Sequence, residues 1–304
     1  MKVALITGIN GFVGPYLRAE LLSAGYEVYG IDKKASNRNC YDVDIIDALK
    51  LQKIILEIKP KYIFHLAGIS SPNFAEENKE LTFNINVDGT KNVLEVACSL
   101  HDLPRVLVVS SSHVYGDPQT LPIKETHPLL GTGVYAESRI MQEKLVSEYY
   151  TTLPIVITRS FNHTGPGQSD QFVVPLIAKQ IVEIKKGLRG ALELGAVDIE
   201  RDISDVRDVV RAYRLLLEQE ESAIICNVCR GEPISLEKII EKFKLLSGLD
   251  ELDIKINERT AHKKNPSVIY GNNNFLKQKI LWNMEISYGR MIQDIYNYHL
   301  KNVN

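Results

Sequence analysis

The sequence lacks long hydrophobic runs and any excess of basic charge, and it has only four cysteines in 304 residues. Its longest apolar stretches, KYIFHLAGI and RVLVVSSSHVY, are strand-sized. A helix that crosses a bilayer needs about 20 consecutive apolar residues, so no membrane partner is expected. Lysine and arginine number 36 against 38 acidic residues, for a net charge of −2. Holding a phosphate backbone requires a basic surplus, so no nucleic-acid partner is expected either. The amino terminus runs from MK straight into VALITG, without the apolar stretch and small-residue cleavage site of a secretory signal; the expected location is the cytoplasm. Of Cys40, Cys98, Cys226 and Cys229, only CNVC has a suggestive spacing. A structural zinc site needs a second Cys or His pair, and none stands nearby. AIICNVC reads as a buried strand, so the pair is expected to be two core thiols, with no metal.

What is present is an alternation. KVALITG, EVYGID, KYIFHLAG, RVLVVSSS and PIVITRSFN are apolar runs of strand length, separated by the helical patterns PYLRAELLSAG, DALKLQKIILEI, NVDGTKNVLEVACSL and VYAESRIMQEKLVSEYY. Strands alternating with helices imply right-handed crossovers and a parallel sheet covered on both faces. The pattern loosens after residue 163. A Gly/Pro/polar loop, NHTGPGQSDQF, is followed by VVPLIAKQIVEIKKG as a helix, ALELG as a short strand, DVRDVVRAYRLLLEQ as a helix and AIICNV as a late strand. SLEKIIEKFKLLSG then forms a helix with Ser235 as its N-cap. The expected fold is α/β: a Rossmann-type doubly wound parallel sheet over 1–163, completed by about 203–230, with a smaller interwoven C-terminal α/β substrate domain over 164–304.

ITGINGFVG places Gly8, Gly11 and Gly14 between the first strand and the first helix. There, glycines permit a tight turn, close approach of backbone to a dinucleotide pyrophosphate, and close helix packing, while the helix end supplies N–H groups and positive dipole. Asn10, Phe12 and Val13 complete the loop. The second strand ends in Asp32, whose carboxylate suits the two adenosine ribose hydroxyls and repels a 2′-phosphate. The following Lys33 and Lys34 would attract one. The cofactor is therefore NAD(H) or NADP(H), with a lean to NAD(H). Asp44 and Ile45 are placed to meet the adenine, and Leu66, Ala67 and Gly68 end the fourth strand where the cofactor needs room.

VVSSSHVYG followed by VYAESR resembles the extended short-chain dehydrogenase/reductase family, and the resemblance covers nearly the whole chain. GFVGPYL, SFNHTGPGQSDQFVVP and RDISDVRDVVRAY together are similar to GDP-4-keto-6-deoxy-mannose reductases. The resemblance implies that Tyr135 exchanges a proton with the substrate oxygen and that Ser111 donates a hydrogen bond to it. It also implies that Arg139 stands in the lysine's place beside the nicotinamide ribose. Ser70, Ser112, His113 and Asn162 are expected near the sugar, and Arg201 and Lys263 near the diphosphate. A homodimer formed through NVDGTKNVLEVACSL and YAESRIMQEKLVSEYY is implied as well.

Three features depart from the pattern. Arg139 replaces lysine; four residues is one helical turn, so residues 135 and 139 share a face. A unit charge about 5 Å from the tyrosine, at an effective dielectric of about 20, contributes about 3 kcal/mol, which arginine supplies as well as lysine while changing the geometry. Ala196 stands where the related reductases carry asparagine, and His262 and Lys263 stand where an arginine–proline pair is common. His113 occupies the place of the acid used by sugar-nucleotide 4,6-dehydratases. Gly167 follows Pro166 where epimerase-reductases have histidine. Three readings follow. The first is NAD(P)H-dependent reduction of the C4 keto group of a nucleotide-linked, GDP-type, 4-keto-6-deoxy sugar. The second is a sugar-nucleotide 4-epimerase with tightly bound NAD. The third is a catalytically impaired cofactor-binding protein.

Overall fold

The computed structural model describes residues 2–34, 39–195, 197–256 and 267–303. Strands β1 (Lys2–Thr7), β2 (Tyr26–Asp32), β3 (Cys40–Asp42), β4 (Tyr62–His65), β5 (Arg105–Ser111) and β6 (Ile155–Ser160) lie in one parallel sheet. After the short strands β7 (Asn162–Thr164), β8 (Leu192–Leu194) and β9 (Glu200–Asp205), the chain returns as β10 (Ile224–Val228), which pairs with β6. The seven strands run in the order β10-β6-β5-β4-β1-β2-β3. The order reverses between β1 and β4, and such a switch point leaves a crevice at the carboxyl ends of the strands.

Neighbouring residues of one strand supply opposite cores, which is why the strands read as unbroken apolar runs. Ala4, Ile6, Phe64, Leu107 and Val156 are buried against helices α1 (Val13–Ser23) and α8 (Val206–Leu217). Leu5, Ile31, Ile63, Val108 and Ile157 face α2 (Ala48–Ile58), α5 (Gly89–Cys98) and α6 (Val134–Ser147). Between α2 and α5 lie the short helices α3 (Pro72–Glu77) and α4 (Lys79–Phe83) and a π turn, Asn84–Asp88. A third core joins α7 (Val173–Lys185), α9 (Leu236–Ser247) and the terminal helix Tyr288–Asn302 around Leu192, Leu194 and Ile203. Ser235 caps α9 by accepting from Lys238 N–H at 3.3 Å. Cys226 and Cys229 are buried free thiols.

Three short pieces of sheet escape the sequence pattern. β9 pairs with β7, with Pro233–Ser235 and with Val268–Ile269. At two or three residues, most of these strands are too short to display a period. No helix among the described residues is long and apolar enough to cross a membrane.

Candidate active site

A cleft of about 430 Å³ opens at the carboxyl ends of β1, β4, β5 and β6. One wall is the glycine loop. Gly8 has φ +72°, and a Cβ there would lie 2.9 Å from backbone atoms of Ala67; at Gly14 it would come within 2.2 Å of the Ile9 carbonyl oxygen. Loop, helix and β4 therefore pack closer than any side chain permits. Helix α1 has no side-chain cap and no acidic residue in its first turn, so its leading N–H groups and positive end are left for an anion. Gly11, Phe12, Val13, Leu66 and Gly68 complete this wall. The cradle fits a dinucleotide pyrophosphate.

Asp32 sits beside the loop rather than inside the cleft. Its Oδ2 accepts from Asn10 N–H at 2.9 Å and its Oδ1 from Lys33 N–H at 2.8 Å. Lys33 is itself engaged by Asp44 at 3.1 Å. Ile45 turns its side chain into the core against Gly89, and its carbonyl accepts from Asn92 Nδ2 at 3.0 Å. Ala67 N–H donates to Thr7 Oγ1.

The opposite wall carries Ser111, His113, Tyr135 and Arg139. Gly133, at φ +88°, breaks the chain into α6, and the Glu76 carboxylate accepts from Val134 N–H at 2.9 Å. An acceptor on the first N–H groups fixes where a helix starts, and here it sets Tyr135 in the first turn. Tyr135 is buried at 8% exposure, with the Arg139 guanidinium carbon 5.5 Å from its ring centre. Ser111 ends β5; its Oγ accepts from His113 N–H at 3.2 Å, and its own proton remains for a bound oxygen. His113 packs edge-on against Tyr135, ring centres 5.3 Å apart. Its ring opens onto the cleft, yet the protein mass around it and, secondarily, the Arg201 charge push its pKa below the ordinary histidine value.

Ser70, Asn162 and Arg201 also line the cleft. Arg201 is held by the Glu200 and Ser267 carbonyls and has no carboxylate partner among the described residues. Ser112 starts a 3-10 turn outside the lining. Lys263, His262 and Ala196 lie outside the described residues. Arg207 and Arg211 are tied to Asp205 and Asp294, and to Asp208 and Glu285, as structural ion pairs. Ser110 donates to Glu143 at 2.5 Å, and Glu143 forms a buried pair with Arg159 at 2.7 Å.

Sequence reading missed several lining residues. His163 stacks on Phe12 at 6.3 Å, and Tyr213 and Ser160 share a hydrogen bond at 2.6 Å. Burial lowers the His163 pKa and raises that of Tyr213 to about 12. His163 directly follows Asn162 and was within reach of the motif; Tyr213, on a helix far along the chain, gave no signal. Among the described residues, the lining contains two arginines and two histidines but no aspartate, glutamate, lysine or cysteine. The cleft is thus net positive and without a carboxylate base.

A family model described as GDP-mannose 4,6 dehydratase matches residues 5–295. The sequence is 33% identical to a GDP-6-deoxy-D-mannose reductase of Pseudomonas aeruginosa over 85% of this chain and 84% of that protein. It is 30% identical to a GDP-mannose 4,6-dehydratase of Vibrio cholerae over 79% and 70%. Among solved structures, RMD from Pseudomonas aeruginosa complexed with NADPH superposes with a TM-score of 0.90 at 30% identity, covering 100% of both chains. A putative epimerase from Burkholderia cenocepacia superposes at 0.89 with 27% identity, covering 99% and 98%.

Proposed function

The chain belongs to the GDP-mannose 4,6-dehydratase family of NAD(P)-dependent nucleotide-sugar enzymes, and from that premise we propose that it is a reductase of the C4 keto group of a GDP-linked 4-keto-6-deoxy sugar. One observation carries the choice within the family: the cleft presents Ser111 and Tyr135 but no carboxylate among its described lining residues. Dehydration must remove a proton from the carbon next to the keto group, which calls for a base there. Beside Tyr135 stands the imidazole of His113, whose lowered pKa makes it a weaker base than an ordinary histidine. Reduction needs no such base.

In this reading the glycine loop, Asp32 and Arg139 hold a nicotinamide dinucleotide, which supplies two electrons and one hydrogen to C4 when bound. The chain's own groups do the rest. Ser111 donates a hydrogen bond to the C4 oxygen as negative charge grows on it, and Tyr135 gives that oxygen its proton. The Arg139 guanidinium stands 5.5 Å from the Tyr135 ring centre. Arg201, on the cleft wall and without a carboxylate partner among the described residues, takes the diphosphate with two parallel donors. NAD(H) is the proposed cofactor, because Asp32 faces the loop and Lys33 is already committed to Asp44. The proposal includes a homodimer built on α5 and α6; sedimentation as a monomer contradicts that part.

The second reading, 4-epimerisation with tightly held NAD, uses the same Ser111–Tyr135 pair and is favoured by the likeness to the putative epimerase. The third, a cofactor-binding protein without turnover, is opposed by the presence of both Ser111 and Tyr135 in the cleft. Solvent deuterium separates the first reading from dehydratase or 3,5-epimerase chemistry: a reductase leaves C3 and C5 unlabelled, and label at either carbon overturns it.

A further inference from the structure

We propose that Gln142 is the positioning residue that makes an arginine workable at position 139, by fixing the plane of its guanidinium against the cofactor; this rests on the cofactor reading above. A guanidinium has five N–H donors in a rigid plane, whereas an ammonium rotates freely. An arginine in this place therefore works only if something sets the plane. Arg139 Nη1 donates to the Val109 carbonyl at 3.0 Å and to Gln142 Oε1 at 2.9 Å, and Nη2 donates to the Ile69 carbonyl at 3.1 Å. Its Nε is buried without a partner, on a side chain that lines the cleft. Three of the five N–H donors are thus engaged by the protein; Nε–H is enclosed, and one Nη2 N–H is left for a ligand oxygen. Of the three acceptors only Gln142 is a side chain, one helical turn along α6 and fully buried.

The orientation of Gln142 is determined by its surroundings. Arginine can only donate, so the amide oxygen faces it, and Gln142 Nε2 donates to Thr90 Oγ1 at 2.8 Å. Thr90 gives its single proton to the Asn86 carbonyl at 2.7 Å. It therefore accepts from both Gln142 and His65 Nε2, the latter at 2.9 Å. His65 therefore carries a proton on Nε2, and with the ring neutral its Nδ1 accepts from the Thr7 hydroxyl at 2.8 Å. Burial holds this imidazole uncharged, its pKa lowered from 6.5 to about 3. The chain of bonds runs from Thr7, next to Gly8 in the glycine loop, through His65, Thr90 and Gln142 to Arg139. The side chains from Thr7 to Gln142 each meet the acceptors and donors they need, the condition under which a buried polar network is rigid rather than costly; Arg139 Nε is the member left without one.

The test compares wild type with Gln142→Met, which keeps the volume and removes both bonds, and Gln142→Glu, which restores an acceptor for Nη1. NADH affinity is read by fluorescence titration, and guanidinium order by the ¹⁵N resonances of Arg139 Nη, assigned with Arg139→Lys. Gln142→Met is expected to weaken NADH binding about tenfold, the scale of one hydrogen bond to a charged group. KM for NADH should rise in step, kcat at saturation should stay within about threefold, and the Nη resonances should collapse. Gln142→Glu should return NADH binding to within about threefold of wild type. A Gln142→Met protein with wild-type NADH affinity and unchanged Nη resonances overturns the proposal. If wild type itself binds neither NADH nor NADPH, the cofactor reading fails, and the Nη spectra alone then decide the role of Gln142.

Discussion

Tyr135 and Ser111 are the residues on which the reading stands, and both were legible because the family spaces them along single elements: a strand end and the first turn of a helix. Tyr135→Phe is expected to lower turnover by 10²–10⁴-fold, roughly the contribution of one positioned proton donor, while NADH affinity measured by titration stays near wild type. Asp32 argues for NAD(H) by charge. Replacing it with serine removes the repulsion of a 2′-phosphate and should raise kcat/KM for NADPH relative to NADH by about tenfold or more; an unchanged ratio removes the basis for the cofactor choice. Gln142 and His65 were not legible. Their importance arises from pairing across β1, β4, α5 and α6, and no spacing within one element encodes it.

At the scale of elements, α6 joins site and core. Its buried face carries Tyr135, Arg139 and Gln142 toward the cleft, and Glu143 toward Arg159, Ser110 and, through Arg159, Tyr115. This second network braces the end of β5, where Ser111 sits. Removing one partner leaves the other charge buried and unpaired, so Glu143→Ala should cost about 3–5 kcal/mol in urea unfolding; a loss under about 1 kcal/mol contradicts the bracing role. The main strands and helices were readable from apolar runs of strand length and from helical spacing. β9 was not, although its residues RDISD belong to a recognised motif. Its last four residues are all buried, and three of them, Asp202, Ser204 and Asp205, are polar, so it lacks the hydrophobic alternation that marks a strand.

At the scale of the whole molecule, buried titratable groups set how stability responds to acid. His65 stays neutral when folded down to about pH 3 but takes a proton near 6.5 when unfolded. Between those values the unfolded chain binds more protons, so this group's contribution falls as pH falls. Asp202, buried with its pKa raised from 3.8 to about 6, acts in the opposite sense: its contribution falls as pH rises through that interval. The two are separated by comparing wild type with His65→Gln. The stability of wild type relative to the variant should decline by on the order of 4 kcal/mol as pH drops from 6.5 toward 3, and a difference independent of pH contradicts a neutral buried His65.

The doubly wound sheet, its switch-point cleft and a lining without a carboxylate among its described residues support the proposal that the enzyme delivers hydride to a keto sugar. Its most direct test is stoichiometry with a GDP-linked 4-keto-6-deoxy sugar and NADH carrying deuterium at the transferable position. The account predicts one NADH oxidised per sugar consumed, with the deuterium found at C4 of the product. Conversion of the sugar without net loss of NADH absorbance, or formation of a 4-keto sugar from GDP-mannose, would contradict it.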